Sequence, residues 1–472
     1  MPYVVTIKSG LIDVVLPNGG RYQANDVVTL SDEDYSVISP AIRTALFASA
    51  VPDVAGMFAP VARVPRFVPP SNVITTMQSG HGWTSSGTGA TFNLNDTTDF
   101  ISGTQAAKLT TGGTGAQTNI RKFAGTVPDT TAKMFRIRIK VDDITHLNEL
   151  DFYLGSSSLA NNYKWSFFIA GGSTWITSGD WVTITLSFAD ATVTASAARS
   201  GMTDLQLQAW DDSTGNPVTV HFQSVELIPD GSAIFANGLA SICFDDSWDS
   251  PKTQGAWNKL DGLGLAASLF TIVDQLGSAN HLTLADVKAR VDRFGWESVA
   301  HSYTDVSHSA TYTGLSATAL EADIRAQRSW LLANGIRSAD GTAYPLGQFG
   351  KTLDGLSTQD LVRQYFAWAR TTANRTRETF PPANPFRLRA ISSISTFAGG
   401  TTPTSLTTLT TGTIDKAKTD KAWLILVFHK ITSGAAGSTT ECQLSDFNAI
   451  VDKLVSAGMT VLPIGDALRY YG

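Results

Sequence analysis

Two cysteines in 472 residues, Cys243 and Cys442, are too few for a disulfide scaffold or a four-thiolate zinc site. Charge is sparse as well: Asp, Glu, Lys and Arg make up 16% of the chain, and the formal net charge is -6. That balance excludes a general nucleic-acid binder, which needs a basic face for phosphates. It also excludes an acidic disordered chain. No apolar run reaches the length of a membrane span; Ala422 to Phe428 is among the longest and ends at His429. The N-terminus, Met1-Pro-Tyr-Val-Val-Thr-Ile-Lys8, lacks the basic start and apolar stretch of a secretory signal. Apolar residues, at 43%, are plentiful enough for sizeable cores. At ~150 residues per domain the length predicts two to four domains.

The patterning divides the chain. Up to about residue 55, short strand-like runs (Tyr3 to Ile7, Leu11 to Leu16) and helical patches predict a small α+β unit. Ser31 is placed as the N-cap of one helix, with Asp32, Glu33 and Asp34 in its first turn. Residues 56–72 carry Pro60, Pro65, Pro69 and Pro70 and read as a semi-rigid linker. Residues 73–232 are rich in Thr, Ser, Gly and Asn. Phe135-Arg-Ile-Arg-Ile-Lys-Val141, Trp181 to Leu186 and Val218 to Leu227 alternate, which predicts an antiparallel β-sandwich or jelly roll. From 233 to 472 short apolar strands alternate with helical periodicity, which predicts an α/β barrel or an open α/β sheet. Thr401 to Thr413 reads as a Thr-rich surface loop.

Polar residues follow several of the predicted C-terminal strands, the place where α/β barrels build their sites. Phe244-Asp245-Asp246-Ser247-Trp248 puts two carboxylates at a strand end. Adjacent carboxylates repel unless a cation sits beside them, and a divalent metal supplies that charge. A solvated acidic turn accounts for the pair equally well. His301-Ser-Tyr-Thr-Asp305-Val-Ser-His308 places His301, Asp305 and His308 on one face if helical, a donor set suited to zinc or a similar ion. Ala343-Tyr344-Pro345-Leu346-Gly347 is a tight turn whose N–H groups suit an oxyanion. Arg387 and Arg389 suit bidentate orientation of a carboxylate.

Taken in order over about residues 236–470, these motifs resemble the polysaccharide deacetylases of carbohydrate esterase family four. Cys243-Phe-Asp245-Asp246-Ser247 resembles the family's Thr-Phe-Asp-Asp-Gly motif; the resemblance makes Asp245 the general base and Asp246 a metal ligand. His301-Ser302 matches the first half of the His-Ser/Thr-x-x-x-His motif. Asp305 stands where the second histidine belongs, and His308 lies three residues on, so the third ligand is either Asp305 or His308, with His308 preferred. The resemblance gives the Leu346 N–H to the oxyanion, Tyr344 and Pro345 to the substrate turn, and Arg389 to the catalytic aspartate. Leu424-Ile-Leu-Val-Phe-His429 resembles the last motif, whose histidine is the general acid. Ser247 replaces a glycine and Leu346 an aromatic residue. The implied fold is a distorted β/α barrel. The implied cofactor is a divalent metal, with zinc first, and the implied reaction is hydrolysis of acetyl groups on a polysaccharide. Trp248 is a substrate-binding candidate beside the acid pair.

In the β-rich region, Trp83 and Trp175 lie near Gly/Ser turns and are candidates for stacking on sugars, whereas Trp181 is expected in the core. The sandwich is similar in outline to a carbohydrate-binding module. Val28-Thr-Leu-Ser-Asp-Glu-Asp-Tyr35 resembles small N-terminal units of bacteriophage head or tail proteins. The expected setting is therefore a phage virion, as a tail or fibre component. There the chain would act at the bacterial surface on cell-wall or capsule polysaccharide and contact other virion proteins through its N-terminal unit. It would have no nucleic-acid partner and no membrane span, and it is expected to be a homo-oligomer. The alternative reading is a catalytically impaired, receptor-recognition protein on an esterase fold.

Overall fold

The computed structural model describes residues 3–9, 14–16, 21–30, 38–52, 68–170, 175–336, 340–372 and 377–470. The Ser31 cap, the phage-like segment beyond Leu30 and most of the Pro-rich linker lie outside these residues. In the N-terminal part, Tyr3–Ile7 pairs antiparallel with Val27–Leu30 on one side and Phe47–Pro52 on the other. Pro40–Leu46 forms a short helix capped by Ser39. Val5, Ile7, Leu30 and Phe47 are buried together beneath this sheet.

Residues 72–229 build two antiparallel sheets. The alternating segments become neighbouring strands of one sheet: Lys133–Val141 lies between Trp181–Leu186 and Thr219–Pro229. Its Phe135, Ile137, Ile139 and Val141 point inward, as the period of two dictates. They meet the inner face of the second sheet; the Phe135 ring stands edge-on to Phe152 at 5.1 Å and to Trp165 at 5.6 Å. Two sheets with one such core form a sandwich. Trp181 departs from the expected pattern. Val182, Ile184 and Leu186 take the inward positions, so Trp181 falls on the opposite face, half-buried, and donates to Asp99 Oδ1 at 3.0 Å.

The C-terminal part is a seven-stranded parallel sheet. Leu239–Phe244 is central, with Trp423–Phe428 on one side and Ser268–Thr271 on the other; Glu297–Ala300, Gly341–Ala343 and Trp368–Arg370 continue outward. These strands are buried on both faces, which explains their continuous apolar runs. Thr283 caps the helix Leu284–Arg293 in a reciprocal capping box with Asp286. The outermost strands do not end the hydrogen bonding. Leu388 bridges in parallel to Arg370, and Ile391 to Leu426. The Leu388 and Ile391 N–H groups donate to Ala369 O and Ile425 O at 3.0 and 2.8 Å, so segment 388–391 completes a ring.

The last strand is only Thr460–Val461, because Pro463 has no N–H for a ladder and instead starts the helix Ile464–Arg469. The Thr-rich stretch is not simply a surface loop. Pro403 opens a helical turn, Pro403–Thr407, that buries Leu406 in the core.

The sandwich and the parallel sheet touch through residues 377–389. Trp175 Nε1 donates to Arg387 O at 2.6 Å, and Arg389 Nη2 donates to Thr185 O at 3.2 Å. Thr185 and Thr379 hydroxyls meet at 2.5 Å, and Arg377 pairs with Asp190.

Candidate active site

Four of the seven parallel strands end by delivering a polar residue to the same end of the sheet. Asp245 and Asp246 follow Leu239–Phe244, His301 follows Glu297–Ala300, Arg370 ends Trp368–Arg370, and His429 follows Trp423–Phe428. The turns there are strained. Asp246, Ser247, Ser302 and Leu346 all have left-handed φ, at 65°, 60°, 85° and 52°. Position 247 thus favours glycine on conformational grounds. Its serine is held by hydrogen bonds: Ser247 Oγ accepts from Ile272 N at 3.0 Å.

Asp246, His301 and His308 converge. Asp246 Oδ1 lies 3.3 Å from His301 Nε2 and 3.4 Å from His308 Nε2, and the two imidazole nitrogens are 3.1 Å apart. Asp246 Oδ1 is buried without a hydrogen-bond partner. These three atoms fit a divalent cation. A metal with ligand bonds of about 2.1 Å has tetrahedral edges of about 3.4 Å. His301 Nδ1 lies 3.2 Å from Ala343 O, the outer hydrogen bond that leaves Nε2 as the donor to a metal. Burial opposes ionisation of Asp246, but the close polar contact with His301 and the nearby His429 outweigh that and hold its carboxyl well below the usual range. Burial, with His301 beside it, pushes His308 down to about 4, so its imidazole is neutral at pH 7.

Asp305 does not join the group. It begins the helix Asp305–Ala310, capped by Thr304, while His301 lies before that helix, so no common helical face exists. Asp305 is exposed, and its N–H donates to Asp274. His308, one turn into the helix, is the residue that reaches inward.

Asp245 is buried beside this group. Its Oδ2 accepts from Arg370 Nη2 at 2.6 Å, while Oδ1 has no hydrogen-bond partner. Its N–H donates to Phe428 O, which keeps it next to His429. His429 Nε2 lies 3.9 Å from Oδ2 of both Asp245 and Asp246. No hydrogen bond from the Leu346 N–H to a described residue is seen, as is usual for an N–H in the first turn of a helical segment such as Pro345–Gly347.

The structure corrects several sequence expectations. Arg370, not Arg389, holds Asp245. Arg389 is spent in a buried pair with Glu378 at 2.9 Å, and Arg387 faces Thr177 and Asp180 of the sandwich. Tyr344 and Pro345 are buried; the Tyr344 hydroxyl donates to Phe386 O at 3.0 Å, which leaves it no free face for substrate. Trp83 and Trp175 are buried as well, Trp83 edge-on to Phe222 at 5.5 Å and Trp175 tied to Arg387, so neither offers a ring to a sugar. Trp248 is half-buried at the mouth, stacked on His281 at 4.3 Å, with Lys430 Nζ 3.9 Å from its ring centre.

Sequence reasoning missed a polar surface on the sandwich. Across the outer face of the second sheet, Ser166, Asp151, Gln208 and Asn119 are cross-strand neighbours, and Lys164, Tyr153, Gln206 and Arg121 form the next row. Asp151 accepts from Ser166 at 2.7 Å and from Gln208 at 3.1 Å. Burial and the neighbouring Glu149 push Asp151 up to about 6. Asn119 Oδ1 and Trp210 Nε1, on the same sheet, have no partner. The alternation of Gln206 and Gln208 with Leu205, Leu207 and Ala209 was the available signal.

No protein-family model matches the chain, and no curated protein matches it. Among solved structures, the chain is similar to the Xyl-CE4 domain of a multidomain xylanase from the hindgut metagenome of Trinervitermes trinervoides, with 17% identity, a TM-score of 0.33 and coverage of 50% of this chain and 91% of that one. It is similar to a family 4 acetyl xylan esterase from Clostridium thermocellum in complex with a cobalt ion (14%, TM-score 0.32, 49% and 91%). It is also similar to a family 11 carbohydrate-binding module from Clostridium thermocellum in complex with a β-1,3-1,4-mixed-linked tetrasaccharide (13%, TM-score 0.24, 33% and 94%). At these identities and scores, the assignment of the site rests on its own geometry.

Proposed function

We propose that the C-terminal half is a metal-dependent deacetylase acting on an acetylated polysaccharide. The observation that carries this reading is the convergence of Asp246, His301 and His308 beside a buried Asp245–Arg370 pair and His429. Asp246, His301 and His308 would hold a divalent metal, with zinc as the first candidate, which would supply Lewis-acid chemistry beside Asp245. Asp245 is the general base. Arg370 occupies Oδ2 and orients the carboxylate, so the free Oδ1 takes the proton of the attacking water. The Leu346 N–H donates to the oxygen on which negative charge develops. His429 holds a proton at Nε2 and passes it to the departing amine or alkoxide.

The sandwich binds the polymer on the face that carries Tyr153, Lys164 and Ser166, half-buried polar side chains on paired strands that suit a hydroxyl-rich ligand. The unit 1–55 serves as an anchor in a phage virion, a setting supported by the sequence resemblance of Val28 to Tyr35. The alternative, a sugar-binding protein without turnover, rests on the sandwich face alone. The deciding experiment is acetate release from acetylated chitooligosaccharides and bacterial envelope polysaccharide, with and without chelator and added zinc or cobalt, beside Asp245→Asn. Chelator-sensitive release that disappears in the variant is expected. Absence of release, together with absence of retained metal, would leave the sugar-binding alternative.

A further inference from the structure

A second group of metal-ligating atoms lies in the sandwich, independent of the C-terminal site. His221, on the strand Thr219–Pro229, is 2% exposed, yet neither ring nitrogen has a hydrogen-bond partner. An imidazole in that condition is costly to bury. Its Nε2 faces Asp142 Oδ1 at 3.2 Å and Asp99 Oδ2 at 3.8 Å, and its Nδ1 faces the buried Asp96 Oδ2 at 3.6 Å, also unpartnered. The other Asp96 oxygen is fixed by Thr98. Trp181 Nε1 donates to Asp99 Oδ1 and orients that carboxylate. A bulge opposite Arg138 and Ile139 displaces the strand just beyond His221.

We propose that Asp99, Asp142 and His221 form a second divalent-metal site, with Asp96 as the outer carboxylate on His221. An inner imidazole with an outer carboxylate on its far nitrogen is the arrangement that orients metal-binding histidines. One imidazole and two carboxylates select a zinc-like first-row ion, since calcium requires about six to eight oxygens. Lys140 sets the affinity. Its ammonium touches Asp99 and lies 3.3 Å from Asp142 Oδ1, so it competes with the cation for both carboxylates. The ion would tie the 96–104 segment to the strands Lys133–Val141 and Thr219–Pro229.

The test uses the full chain carrying Asp246→Asn and His308→Ala, which removes the C-terminal donor set. The protein is loaded with zinc, passed through a desalting column and assayed for metal by elemental analysis. One retained equivalent is expected. It should be lost on adding Asp142→Asn, an exposed position that spares folding, and on adding His221→Gln, with folding checked by circular dichroism. Lys140→Met should tighten zinc binding severalfold in equilibrium dialysis. Absence of a retained equivalent, or one that Asp142→Asn leaves in place, would overturn the site. Unchanged affinity in Lys140→Met would overturn the competition. Neither readout depends on acetate release, so failure here and failure of the deacetylase reading are separable.

Discussion

Asp245 and Arg370 depend on each other in a way that affects any attempt to test the base. Arg370 is fully buried, and its Nε and Nη1 have no hydrogen-bond partner. Among the described residues the one hydrogen bond of its guanidinium is the 2.6 Å bond to Asp245, and Phe270 lies 4.3 Å beneath the guanidinium carbon. Removing the carboxylate therefore strands a buried cation. Asp245→Ala should cost about 3–5 kcal/mol of stability, the range for breaking a buried pair from one side. Asp245→Asn keeps an oxygen acceptor and should cost less. Arg370→Met alone strands the carboxylate and should cost about as much as Asp245→Ala. The double variant strands neither group, so its cost should fall short of the sum by about 3 kcal/mol, a coupling at the upper end for contacting residues. Urea denaturation with unchanged slope gives the four values needed. Coupling below about 0.5 kcal/mol would refute the mutual dependence. Arg389→Met is the control: it should destabilise through Glu378, yet the folded fraction should still release acetate.

His308→Ala should abolish retention of metal by the C-terminal site, whereas Asp305→Ala should leave it intact; the reverse result by elemental analysis would restore the helical-face reading. Trp83→Ala should destabilise the sandwich by about 3–5 kcal/mol, as expected for a buried ring, whereas Tyr153→Ala should leave the melting temperature near the parent's and weaken sedimentation with insoluble polysaccharide. Burial pushes the Glu297 carboxyl up to about 7 from an ordinary 4.5, with Asp466 adding to the shift. The folded state then binds that proton more tightly. Its stabilising contribution is complete below about pH 4.5 and is lost as pH rises through about 7, a change of about 3 kcal/mol. Glu297→Gln should flatten that slope in denaturation midpoints; an unchanged slope would assign it to other groups.

The parts of the site that were legible in sequence are those set by local pattern. A strand ending in two acids, a strand ending in His301 and another ending in His429 are each readable from a few residues. His308 was within reach by ligand chemistry, although the assumed helix containing His301 was wrong, because Thr304 caps a helix that begins later. The arginine assignment failed for a different reason. Arg370 and Arg389 lie on adjacent parts of the ring, and only the pairing of Leu388 with Ala369 and Thr371 decides which of them faces Asp245. That register is tertiary. The tryptophans failed likewise, since a turn of glycines beside Trp83 says nothing about Phe222, far along the chain, which covers it.

Segment 388–391 bridges the two outermost strands of the parallel sheet, and the adjoining residues 377–389 are what the sandwich grips. The two lobes therefore share a piece of masonry where a string-like tether would leave them independent. A module on a tether lets its neighbour sweep a volume, whereas a shared wall fixes a direction. Under the proposed function, a polymer seated on the sandwich would meet the mouth of the pocket at a set distance and angle. Reach along the chain must then come from stepping of the whole molecule, and the spacing of the modified sugars, set by rigid geometry, would carry the imprint of the joint.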